Sequence, residues 1–149
     1  MASVLIVAHA PLASSLLALA RHVYADCDPG VAAVDLPASA DLEQARALIR
    51  TTLAGLPGPE VLVLVDVFGA TPCNAALKEA DGAMSRVVVG VNVPMLWRAL
   101  CYAQLPLSEL VERALEGGRQ GIMEVAATRP QSLPNLPSID DPDANPDRQ

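Results

Sequence analysis

The chain has 149 residues, of which 52% are hydrophobic, enough for one core and too few for two comfortable domains. Its formal charge of -7 supplies no cluster of Lys and Arg to displace counterions from a phosphate backbone, which argues against a nucleic-acid partner. Cys27, Cys73 and Cys101 are odd in number and form no CxxC pair, which argues against a disulfide framework and a thiolate metal site.

The N-terminus has no basic leader, and no apolar stretch approaches the ~20 residues that span a bilayer, so a cytoplasmic chain is expected. Neither a Walker A loop nor GxGxxG is present, which leaves ATP or a dinucleotide without a cradle; no cofactor and no metal are expected.

Residues 4–8 predict a first strand. Leu12, Leu16, Leu19 and Val23 then recur at spacings of four, three and four, the period of one helix face. Residues 30–36 predict a second strand, and Asp41 opens a helix with Leu42, Ala45, Ile49 and Leu53 inward. Asp41 with Gln44 has the form of a capping box, and Gly55, Pro57, Gly58 and Pro59 end that helix. Residues 61–65 predict a third strand, followed by a helix from Thr71 and Pro72 to about Asp81 and a turn at Asp81 and Gly82.

Residues 86–91 predict a fourth strand, after which Asn92, Val93 and Pro94 lead into a helix carrying Leu96, Leu100 and Ala103. Ser108 is expected to cap a further helix with Leu110, Val111, Ala114 and Leu115 inward, ended by Gly117, Gly118 and Gly121. Residues 122–127 read as a short last strand on a sheet edge. The Pro- and Asp-rich residues 128–149 read as a flexible tail on a single domain over 1–127. Strands alternating with helices predict an α/β fold: a three-layer, doubly wound, mostly parallel sheet in the order 2-1-3-4.

In that order the first and third strands adjoin at the switch point, where His9 and Asp66 end them. A histidine held by a carboxylate has a fixed tautomer and one free nitrogen lone pair, which is a nucleophile. Thr71 as N-cap and Pro72 as first helical residue would leave the amides of Cys73, Asn74 and Ala75 open to an anion. A nucleophilic nitrogen beside free amides suits a phosphoryl group in transit from another phosphoprotein. Phe68, Gly69, Asn92 and Pro94 are expected to line the crevice, with Asn92 and Pro94 also shaping the turn after the fourth strand.

Plainer roles exist for each: Asp66 as a satisfied loop carboxylate, Cys73 as a small buried residue, His22 as a solvent-facing side chain, Met95 and Trp97 in packing or at a dimer surface. A small-ligand domain of flavodoxin-like shape is a further class, although the chain offers few aromatic residues for a flavin.

The segments VAHAP at 7–11, VDVFGATPCNAA at 65–76 and GVNVPML at 90–96 together resemble the IIA component of the mannose family of the bacterial phosphoenolpyruvate:sugar phosphotransferase system. The resemblance implies a phosphohistidine at His9, formed from the carrier HPr and passed to a separate IIB component, with Asp66 orienting the ring. Phosphoryl contacts are expected at Ala10, Thr71, Cys73 and Asn74, and a membrane link only indirectly, through a permease complex. The resemblance also implies a homodimer in which the last strand is exchanged. The family commonly has a glycine after its histidine and a glycine pair in the second loop, where this chain has Ala10 and Ala70, and Pro11 removes an amide donor. A stand-alone regulatory phosphoprotein without a transport role is the alternative reading.

Overall fold

The computed structural model describes residues 1–25 and 30–127; Cys27 and the tail expected over 128–149 lie outside the described residues. In chain order the elements are β1 (Ser3–His9), α1 (Leu12–Val23), β2 (Val31–Leu36), α2 (Leu42–Ala54), β3 (Val61–Val65), α3 (Thr71–Glu79), β4 (Ser85–Val89), α4 (Val93–Cys101) and α5 (Leu107–Gln120). The strands pair in parallel in the order β2-β1-β3-β4, as the alternation of strands and helices predicts. The inner strands β1 and β3 are buried along their apolar runs because helices cover both sheet faces.

Successive side chains of a strand point to opposite faces, and two cores result. Val4, Ile6, Ala8, Leu62 and Leu64 pack with Leu16 of α1, Leu96 of α4 and Leu110 of α5. Leu5, Val7, Val63 and Val65 pack with Ile49 of α2 and Ala75 of α3. Among the described residues no helix is long and apolar enough to cross a membrane.

The capping box at α2 forms in both directions, with the Gln44 amide donating to Asp41 Oδ1 and the Asp41 amide donating to Gln44 Oε1. Other helix ends differ from expectation. Ser108 does not cap α5; Pro106 stands at the N-cap and Leu107 is already helical. Gly117 and Gly118 lie inside α5 instead of ending it, and Gly121 is the C-cap. Their smallness serves packing: a Cβ at Gly117 would stand 2.2 Å from Arg98 Cγ and 3.0 Å from Pro94 O, and one at Gly118 2.7 Å from the flexible end of Met95, so the close approach of α4 and α5 depends above all on Gly117.

Residues 122–127 form no strand within this chain. A strand requires a neighbour's ladder of backbone groups, and these residues make none with β4, leaving Ile122, Met123 and Val125 exposed.

Candidate functional site

The register of the two central strands decides the site. Val7 stands opposite Val65, so β1 runs on past the end of β3 to His9, and Asp66, the first residue beyond β3, lies alongside that extension. Asp66 Oδ2 accepts from His9 twice, at 2.6 Å from the ring Nδ1 and at 2.9 Å from the backbone amide, while Oδ1 accepts from the Val67 amide at 2.8 Å. The carboxylate is 12% exposed and the imidazole 50%.

Burial pushes the Asp66 carboxyl up, but the bonds from the His9 amide, the His9 ring and the Val67 amide outweigh it and leave the group below the ordinary carboxylate range. An ionised carboxylate only accepts, so the proton of the neutral imidazole belongs on Nδ1 and the lone pair on Nε2. Nε2 has no partner among the described residues.

The loop after Asp66 turns through Gly69 at φ +84°, a conformation that Gly adopts without strain. Val67 and Phe68 are exposed, Phe68 by 77%. Ala70, not Thr71, is the N-cap of α3, and no side chain caps that end. Thr71 and Pro72 occupy the first two helical positions, which corrects the expected role of Thr71. The Asn74 amide donates to Ala70 O at 3.0 Å and so opens the helical ladder; it is not free as expected. The amides left without an acceptor in the described residues are those of Thr71 and Cys73, the orphan donors of a helix start. Cys73 is buried, which fits a small packing residue, and the exposed Asn74 side chain donates to Gly69 O at 3.4 Å.

Asn92 is fully engaged in shaping the turn: Oδ1 accepts from the Met95 amide at 2.9 Å and Nδ2 donates to Gly118 O at 3.0 Å. Pro94 lies under Gly121, where a Cβ would come within 2.4 Å of Pro94 Cγ. The Ala10 amide donates to Leu36 O at 3.0 Å and is therefore occupied. His22 is exposed, Met95 is buried, and Trp97 is 40% exposed on α4.

Sequence reasoning missed Asp35. Its Oδ1 accepts from the Ser14 amide at 3.1 Å, tying β2 to the first turn of α1. The available signal is a charge inside the otherwise apolar strand VAAVDL. A cavity among the described residues lies elsewhere, lined by Arg21, Tyr24, Gly30, Pro57 and Leu100 at the start of β2, the end of the sheet away from His9. His9 instead stands on an open surface, which suits contact with another macromolecule better than enclosure of a small one.

A family profile described as PTS system fructose IIA component, EIIA-man, matches residues 3–115. The chain belongs to the EIIA-man family. Over 89 residues this EIIA-man chain is 37% identical to the PTS system mannose-specific EIIAB component of Escherichia coli K12, a match covering 58% of the chain and 28% of that relative's length. The mannose/sorbose specific IIA subunit of phosphotransferase system from Enterococcus faecalis is 25% identical, with a TM-score of 0.75 over 86% of this chain and 96% of that one. The phosphotransferase system component EIIA from Streptococcus agalactiae, at 22% identity and a TM-score of 0.74, covers 83% of this chain and 97% of its own and shares the fold.

Proposed function

We propose that this EIIA-man chain is a cytoplasmic phosphocarrier of sugar uptake: His9 accepts a phosphoryl group from phospho-HPr and passes it to a IIB component. The observation that carries the reading is the double grip of Asp66 on His9, ring and backbone together, with Nε2 left open to solvent. The Nε2 lone pair forms a bond to phosphorus as the N–P bond of the donor histidine breaks. The Nδ1 proton stays in place, and the positive charge that the phosphorylated ring acquires is met by the ionised Asp66.

The unanswered amide of Thr71, with the Thr71 hydroxyl and the Asn74 side chain, supplies donors for the phosphoryl oxygens at the positive end of α3, while the buried Cys73 packs beneath them. Exposed Val67 and Phe68 give the protein donor an apolar surface beside the ring. The chain is further proposed to be a homodimer in which residues 122–127 pair along β4 of the partner, since β4 has a ladder neighbour on one side and Ile122, Met123 and Val125 are exposed.

Incubation with enzyme I, HPr and labelled phosphoenolpyruvate tests the reading. Label is expected on the wild type and on His22→Ala, and absent from His9→Ala; label retained by His9→Ala refutes it. Addition of a IIB protein is expected to drain label from His9.

A further inference from the structure

We propose that Asp35 is a positioning residue for His9; its kinetic consequence rests on the phosphocarrier reading, whereas its geometric consequence does not. Only Ala10 and Pro11 separate the end of β1 from the start of α1, so the backbone carrying His9 and the first turn of α1 are one stiff segment. The N-cap of α1 is Pro11, which offers no side-chain acceptor, and the orphan amides of that first turn need one from elsewhere. β2 supplies it through Asp35 Oδ1 on the Ser14 amide. The hydroxyls of Ser14 and Ser15 are both engaged at Pro11 O.

The register makes this cap local to the site. Asp35 stands opposite Ala8 and Leu36 opposite His9, and Leu36 O also takes the Ala10 amide. Residues 9–14 are thus held from both sides, by β2 through Leu36 O and the Asp35 carboxylate, and by Asp66 through the His9 amide. Asp66 orients the ring, and Asp35 fixes the segment from which the ring projects. Without the Asp35 carboxylate the first-turn amide loses its acceptor and β2 keeps a single backbone bond to the segment, so the ring is expected to sample positions off the line of phosphoryl transfer.

The test compares full-length wild type, Asp35→Ala and Asp35→Asn by nitrogen-15 NMR of the His9 ring and by the rate of labelling from phospho-HPr. In Asp35→Ala the His9 Nδ1–H signal is expected to shift and broaden, and kcat to fall about tenfold while KM for phospho-HPr stays within about twofold, the split expected of misplacement without lost binding. Asp35→Asn keeps an oxygen acceptor and is expected to restore both the signal and most of the rate. An Asp35→Ala protein with wild-type ring signal and rate overturns the proposal, and so does Asp35→Asn as impaired as Asp35→Ala. If Asp35→Ala does not fold, Ser14→Pro takes its place: it removes the donor of the same bond at a first-turn position where proline is tolerated, with the same shift and slowing expected and the same wild-type outcome overturning the proposal. Should the wild type take no label on His9, the phosphocarrier reading fails while the ring signals still decide the part played by Asp35.

Discussion

Three hydrogen bonds converge on the Asp66 carboxylate, two of them from a single residue, His9. They hold the folded carboxyl below its ordinary range against the opposing effect of burial. A depressed carboxyl contributes stability in full above the unfolded value and loses it as pH falls through the folded one. Wild type and Asp66→Asn are therefore expected to differ in unfolding free energy at neutral pH and to converge in acid; denaturant titrations across pH check this, and a gap independent of pH refutes it. An Asn presents an amide to at least one of the three donors, so His9 labelling in Asp66→Asn is expected to slow by about a hundredfold. Gly69 carries a different constraint. At φ +84°, with open space around it, Gly69→Ala meets no neighbour yet is strained by about 1–2 kcal/mol, readable as a lower denaturation midpoint.

At the scale of elements, α3 follows directly on the loop that begins at Asp66, and its body is fixed elsewhere. Glu79, at the end of α3, accepts from Arg50 Nε at 2.9 Å and from Arg46 Nε at 2.7 Å, both on α2. The Arg50 bond leads in pushing the Glu79 carboxyl down, with burial opposing and Arg46 assisting. Glu79→Gln is expected to destabilise the fold at neutral pH, with the gap closing as pH falls through the depressed Glu79 value, again by denaturant titration. α4 is set by its contact with α5. Gly117→Ala drives a Cβ into Arg98 and is expected to cost about 1–3 kcal/mol while leaving the His9–Asp66 bond intact by NMR.

For the whole molecule, β4 ends the sheet with one side of its ladder unpaired among the described residues. An exposed parallel edge beside an apolar segment invites pairing with another chain, and the proposed dimer uses both. Val125→Pro removes a ladder donor from that segment and is expected to move sedimentation from dimer toward monomer, with His9 labelling retained in the monomer. A wild type that sediments as a monomer at every concentration refutes the exchange.

The amino-acid sequence by itself determined the strands, because apolar runs such as 61–65 are bounded by turn residues, and the capping box at Asp41, because its two partners lie three residues apart. It also placed His9 and Asp66 at strand ends, and strand order then made them candidates to meet. The tertiary structure alone decided which acceptor answers which amide. The cap of α1 comes from Asp35, 21 residues away; the Ala10 amide goes to Leu36; Gly117 and Gly118 serve helix contact instead of helix ending; and residues 122–127 have no ladder in one chain. Periodicity and turn chemistry act over a few residues and can be read along the chain, whereas hydrogen-bond partners and interhelical distances belong to groups that only folding brings together.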